Sequence, residues 1–204
     1  VTALVRRRER LDGCRTVVGD LSEIHTCAGE IAAADAIVHL ASPRSNRRDI
    51  VLLEDIIGTS RLLELWHRGN FVYLSSQTVY GVPRQRLTES LPLSGTCWYD
   101  LGKICNEGQV NVARQGVAVG AGVSLRLPLL FGHGPRRNDR QWLPQVYRHC
   151  LGGGVFLFDS EEGIETYGSS FIGEQDGARA VADALGITES GAYNIAGGFC
   201  TWRE

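Results

Sequence analysis

The sequence predicts an α/β protein built around a doubly wound parallel sheet. Three observations carry this prediction. Short, continuous apolar runs rich in Val, Ile and Leu recur along the 204 residues, as strands covered on both faces of a parallel sheet require. Longer stretches with helical spacing stand between them, the alternation expected of βαβ units. The chain has no internal repeat, low-complexity segment or linker, so it has the length for one sizeable core with at most a small lobe.

Strands are expected at 1–5, 15–18, 36–40, 71–74, 123–127 and 193–195. Residues 47–68 read as a helix that Gly69 would end. Its apolar positions, from Leu52 and Leu53 through Ile56, Ile57, Leu62 and Leu63 to Leu65 and Trp66, wrap beyond one stripe. A helix apolar over so much of its girth needs a second partner. Further helices are expected at 98–115, ending near Gly116, and at 140–151 and 174–186. Gly116, Gly120 and Gly122 precede a strand and Gly152-Gly153-Gly154 follow a helix, so both clusters read as caps and turns. The stretch 133–170 is least like a doubly wound sheet. Thr201-Trp202-Arg203-Glu204 reads as the first turn of a helix.

Composition narrows the class. The formal charge of −2 gives no electrostatic footprint for nucleic acid or a membrane surface. Six cysteines, Cys14, Cys27, Cys97, Cys105, Cys150 and Cys200, are scattered without a Cys-x-x-Cys pair. They suit reduced thiols in a cytoplasmic protein better than a disulfide framework or a metal site. No apolar run reaches the ~18 residues of a membrane span, and no signal peptide is recognisable.

The chemistry centres on Lys103, the only lysine beside twenty arginines. Arginine is a delocalised fork, whereas lysine is a compact ammonium with three rotatable donors. Tyr99 stands four residues earlier, on the same face of a helix. A cation beside a phenol favours the phenolate, and a tyrosine tuned in this way is a general acid/base. Ser75-Ser76-Gln77-Thr78-Val79-Tyr80-Gly81 follows the apolar run 71–74, which puts Ser76 at the carboxyl end of a strand. In open α/β sheets that edge is where ligands bind.

With Ser76 and Tyr99 23 residues apart, this order resembles the extended short-chain dehydrogenase/reductases, specifically the NAD-dependent epimerase/dehydratase family. Further matches run in the family's order: Gly19-Asp20-Leu21, Val38-His39-Leu40-Ala41-Ser42, Leu125-Arg126-Leu127-Pro128 with Phe131-Gly132, Phe171-Ile172 with Asp176, and Tyr193-Asn194-Ile195. The resemblance implies a Rossmann-like NAD(P)-binding domain over 1–132 and 171–204, with 133–170 forming part of a small C-terminal substrate lobe. The family's first strand, glycine-rich turn and first helix would lie upstream of Val1, which makes this chain an internal fragment with a gap in the sheet between the strands at 1–5 and 36–40. The resemblance also implies hydride transfer at a carbinol carbon. Tyr99 would be the acid/base, Ser76 would hold the reacting oxygen, and Lys103 would lower the Tyr99 pKa and bind the nicotinamide ribose.

The same resemblance places Asp20 and Leu21 at the adenine, Ala41 where backbone approaches the cofactor, and Pro128 near the carboxamide. An N-cap role competes for Asp20, and packing competes for Ala41 and Pro128. The cofactor is NAD or NADP. Arg6 stands where an acid would select NAD, and an arginine there accommodates a 2′-phosphate, so the sequence leans toward NADP. His39, inside an apolar strand, reads as a core histidine. No metal is expected.

Departures from the family shape the substrate. Gln77-Thr78 replace the Asp-Glu of sugar-nucleotide dehydratases. Leu129 and Ser169 replace an asparagine and an arginine that grip a diphosphate, although Arg136, Arg137, Arg140 or Arg148 could compensate. Three functions stay open: an epimerase or oxidoreductase acting on a sugar or sugar nucleotide, an NADPH-dependent carbonyl reductase for a small non-nucleotide substrate, and a non-catalytic dinucleotide-binding relative. The partner expected beyond a small-molecule substrate is a second copy, docked through the helices at 47–68 and 98–115.

Overall fold

A computed structural model describes residues 1–43, 45–81, 86–116, 120–132, 142–155, 157 and 160–203. The chain divides into two units, one of Val1–Arg126 with Val181–Asn194 and one of Leu127–Ala180 with Ile195–Glu204.

The first unit holds the predicted parallel pairings. Strands β1 (Thr2–Val5) and β2 (Arg15–Val18) pair in parallel, with Leu4 opposite Val17. A 3₁₀ turn, Leu21–Cys27, and helix α1 (Ala28–Ala32) lead to β3 (Ile37–His39). The long helix follows as α2 (Arg48–Ile50), a π-helical segment Val51–Ile56 and α3 (Ile57–Glu64). Then come β4 (Phe71–Ser76), a 3₁₀ turn Gln77–Tyr80, α4 (Trp98–Ala113) and β5 (Gly122–Leu127). A four-stranded sheet runs β3-β4-β5-β8, with β8 at Gly191–Asn194. In it β3 is parallel to β4 and β5 is parallel to β8. Among the described residues β1 pairs with β2 and not with β3.

Burial follows the apolar pattern. Phe71, Val72 and Tyr73 of β4 and Val123 of β5 are inaccessible, and Ile24, Leu62, Leu63, Trp66 and Val110 form one core cluster with Phe71 and Tyr73. The long helix stops at Glu64, short of Gly69. That glycine instead serves the turn into β4. Its φ of +68° is left-handed, and a Cβ there would run into the carbonyl of Asp35, a conformation that only glycine adopts without strain.

The second unit is built on a sheet absent from the sequence-based expectation. Here β6 (Leu129–Phe131), β7 (Gly168–Gly173) and β9 (Gly198–Thr201) form a sheet in the order β6-β7-β9. The β6-β7 pair is parallel and β7-β9 antiparallel. Helices α5 (Trp142–Leu151) and α6 (Glu161–Thr166) precede β7, and α7 (Glu174–Ala184) follows it. Of the terminal segment, Thr201 ends β9, Trp202 and Arg203 follow it without helical structure, and Glu204 lies outside the described residues. Thr201 pairs with Gly168 of β7, and the Trp202 amide donates to the Tyr167 carbonyl, which uses the backbone groups a helix would need.

Candidate active site

Ser76 is the last residue of β4. Its Oγ accepts from the Thr78 amide at 3.3 Å and from the Thr78 hydroxyl at 3.0 Å, capping the Gln77–Tyr80 turn. Tyr99 lies in the first turn of α4, half-buried, with its amide donating to Asn46 Oδ1 at 3.1 Å. Lys103 follows one turn later and points into the fold, 3% exposed. Its Nζ donates to the Leu74 carbonyl of β4 at 2.9 Å, 4.9 Å from the Tyr73 ring centroid and 5.6 Å from that of Tyr99. The helical spacing thus brings the cation onto the face of the tyrosine, where the ring quadrupole attracts it.

A buried polar network surrounds this lysine, and sequence reasoning missed it. Asp55, in the π-helical segment, is 1% exposed. Its Oδ1 accepts from Asn106 Nδ2 at 3.1 Å, and the same amide group donates to the Tyr73 hydroxyl at 3.0 Å. Asn106 Oδ1 in turn accepts from Gln109 at 2.8 Å. Burial raises the Asp55 pKa, and the Lys103 charge and the Asn106 hydrogen bond oppose the rise. Burial, with the charge of Asp55 adding to it, holds the Tyr73 phenol well above its ordinary value. His39 shares a 2.9 Å hydrogen bond with Thr59 and is 3% exposed. Burial and the Lys103 charge push its pKa down to about 4, so it is neutral near pH 7. The signal that could have exposed the network is a pair of adjacent acids, Glu54 and Asp55, flanked by Leu52-Leu53 and Ile56-Ile57, because a helix with apolar residues on both sides of the pair turns one acid inward.

A second charged cluster lies on the next turn of α4. Arg126 and Glu107 form a buried two-pronged ion pair, with Arg126 Nη2 at 2.6 Å from Glu107 Oε2 and its Nε at 3.0 Å from Oε1. Ser75 donates to the same carboxylate at 2.5 Å, and Arg126 Nη1 donates to the Tyr80 hydroxyl at 2.6 Å. The geometry is the fork that makes such pairs strong.

The other sequence-predicted residues fall as follows. Arg6 is exposed at the end of β1, with Nε 3.3 Å from Asp20 Oδ2 and Nη2 3.5 Å from Glu54 Oε2. Asp20 caps the Leu21–Cys27 turn through the Ser22 amide at 2.9 Å, and that hydrogen bond lowers its pKa. Leu21 packs on Gly58 of α3. Ala41 is exposed just past β3. Pro128, buried, lies in the second unit with Leu129 of β6 and Ser169 of β7. Arg136, Arg137 and Arg140 lie outside the described residues, whereas Arg148 is on the exposed side of α5. Arg6, Asp20, Ala41 and Ser76 all stand at or just beyond the carboxyl ends of their strands. A phenol, a hydroxyl and a buried ammonium at such an edge form a donor set suited to a nicotinamide dinucleotide. No group of three or more potential metal ligands occurs among the described residues. Nor is any described helix long and apolar enough to cross a membrane.

Fold and residue pattern define an α/β protein of the Rossmann type. The chain belongs to the NAD dependent epimerase/dehydratase family, whose model matches residues 1–196. Among solved structures it resembles MoeE5 in complex with UDP-glucose and NAD, with a TM-score of 0.79 and 20% identity, covering 98% of this chain and 69% of that one. The UDP-N-acetylglucosamine 4-epimerase from Bacillus cereus gives a TM-score of 0.76 at 21% identity, covering 98% and 68%. A double mutant of DesIV, a dTDP-glucose 4,6-dehydratase from Streptomyces venezuelae with NAD and DAU bound, gives 0.74 at 23%, covering 94% and 61%. The chain thus spans 61% to 69% of the length of these three proteins. A search of curated protein sequences finds no match.

Proposed function

We propose that the protein to which this chain belongs is a nicotinamide-dependent epimerase or oxidoreductase that transfers hydride at a carbinol carbon of a sugar or sugar nucleotide. The observation that carries this reading is the buried Lys103 ammonium held between the Leu74 carbonyl and the Tyr99 ring. Bound nicotinamide would supply the hydride acceptor or donor. Tyr99 takes the proton from the carbinol oxygen during oxidation and returns it during reduction. Ser76 donates a hydrogen bond to the same oxygen and fixes its position. Lys103 favours the Tyr99 phenolate and supplies an ammonium to the ribose hydroxyls.

Asp20, Leu21, Ala41 and Pro128 would line the rest of the cofactor. Arg6 supports NADP by its charge, but its guanidinium is already engaged by the Asp20 and Glu54 carboxylates, and this favours NAD. Comparing the affinities of full-length protein for NADH and NADPH decides between them: tighter NADPH binding that falls in Arg6→Ala supports the NADP reading, and tighter NADH binding rejects it.

Leu129 and Ser169 favour a second reading, an NADPH-dependent carbonyl reductase of a small substrate, because a leucine and a serine grip a diphosphate less well than an asparagine and an arginine. The two separate by consumption of reducing equivalents. Incubated with UDP- and dTDP-sugars, an epimerase interconverts the sugars with no net change in reduced nucleotide; a reductase oxidises NADPH stoichiometrically with product. Tyr99→Phe should abolish either activity, and full turnover by that variant would reject both.

The excess apolar surface of the two helices supports a homodimer. Leu53, Ile57, Leu101 and Val112 are 62%, 40%, 41% and 65% exposed on the π segment, α3 and α4. A contiguous helical pair with these residues outward suits burial against a second copy.

A further inference from the structure

We infer that Asp55 is a positioning residue, the carboxylate whose charge keeps Lys103 an ammonium in its buried site. The inference rests on the site geometry and goes beyond the proposed reaction. An ammonium withdrawn from water is costly unless an opposite charge accompanies it, and Lys103 is 3% exposed. The titratable groups around it can be taken one by one. From β3, His39 is neutral near pH 7, its pKa about 4. From β4, Tyr73 is held protonated by burial. From α4, Tyr99 offers its ring face, the buried Asp100 is committed to the Thr96 amide and hydroxyl, and Glu107 is committed to the Arg126 fork and the Ser75 hydroxyl. Among the described residues Asp55 remains, and it is 1% exposed.

The Asp55 environment fits that role. Its Oδ1 is satisfied by Asn106, whereas its Oδ2 is buried with no hydrogen-bond partner among the described residues. A buried carboxylate oxygen left in this way costs free energy, and a nearby cation offsets it. Oδ2 lies against Gly102, where a Cβ would sit only 2.8 Å from it. Gly102 directly precedes Lys103, so the absence of a side chain there lets the carboxylate close on the turn that bears the cation. The π-helical segment turns Asp55 inward, and such bulges recur at functional sites.

Lys103 is the only lysine of the chain, so protein grown on lysine labelled with ¹³C at Cε and ¹⁵N at Nζ reports that one side chain in solution. The experiment uses the full-length protein without substrate, so its outcome is independent of the proposed reaction. Any lysine outside these residues is recognised because its signal persists in Lys103→Gln. Asp55→Asn keeps an oxygen for Asn106 and removes the charge. The Lys103 titration midpoint should then fall by roughly one pH unit or more. By linkage the coupling is reciprocal: in Lys103→Gln, which leaves Asp55 in place, the assigned Asp55 carboxyl midpoint should rise by a comparable amount. The second measurement decides the matter if Asp55→Asn does not fold. A Lys103 midpoint unchanged in folded Asp55→Asn, or an Asp55 midpoint unmoved by Lys103→Gln, would overturn the inference and leave Asp55 a packing residue.

Discussion

At the scale of single residues, the Lys103 position argues for a compact ammonium and not merely for a positive charge. Its Nζ reaches the Leu74 carbonyl from inside the fold, where a planar guanidinium has neither the room nor the single-point geometry. Lys103→Arg should therefore lower kcat at least tenfold in a full-length active enzyme and shift the pH profile, while Tyr99→Phe should cost roughly 10²–10⁴-fold and Ser76→Ala less. Near wild-type turnover in Lys103→Arg with an unmoved profile would reject this account of the site. His39 makes a separate prediction. Its folded pKa of about 4 lies below the ordinary imidazole value of 6.5, so the unfolded chain binds the extra proton. The stability it contributes is fully present above pH 6.5 and is lost as pH falls through 4. That loss amounts to about 3 kcal/mol by the pKa difference. Urea midpoints measured across this range should fall with pH in the wild type and flatten in His39→Gln. An equally steep fall in the variant would assign the acid sensitivity to other groups.

At the scale of elements, α4 and the π-helical segment work as one device. Gly102 of α4 meets Asp55 and Val51, and a Cβ there would come within 2.8 Å and 2.9 Å of their side chains. Gly102→Ala should force the pair apart and cost roughly 1–3 kcal/mol, despite the better helix propensity of alanine. Chemical denaturation of the purified variant checks it, and a gain in stability would show that the contact relaxes freely. The strand end at Ser76 and the approach of Lys103 to Tyr99 were legible in the sequence because the spacing is local: a strand end, and two positions one helical turn apart. Asp55 was not legible. The wider π turn rotates the helix face, burying an acid at 1% while leaving Leu53 62% exposed, and no 3.6-residue pattern announces that inversion. Strands β6, β7 and β9 escaped for a different reason. Gly168-Ser169-Ser170-Phe171 is neither a continuous apolar run nor a clean alternation, and such segments become strands only through the partners they find.

At the scale of the whole molecule, the short apolar runs led to the parallel pairings of the first unit because paired strands such as β3 and β4 flank a helical stretch in sequence. The second unit mixes parallel and antiparallel pairing, which periodicity alone cannot encode. The exposed Leu53, Ile57, Leu101 and Val112 carry the prediction proper to this scale. Full-length protein at micromolar concentration should sediment as a dimer, and Leu53→Glu with Val112→Glu should make it a monomer, because two desolvated carboxylates per copy oppose contact. A wild-type monomer at that concentration would reject the proposed interface.

The burial of Lys103 has a practical corollary. An amine-reactive acylating reagent that finds no other lysine in these residues can modify this side chain only when α4 lifts from β4. The rate of acylation at Lys103 itself, read by peptide mapping, is therefore a stopwatch for local opening. Measured against reagent concentration, it reports how often the seam between α4 and β4 breathes, with a chemical reporter already built into the chain.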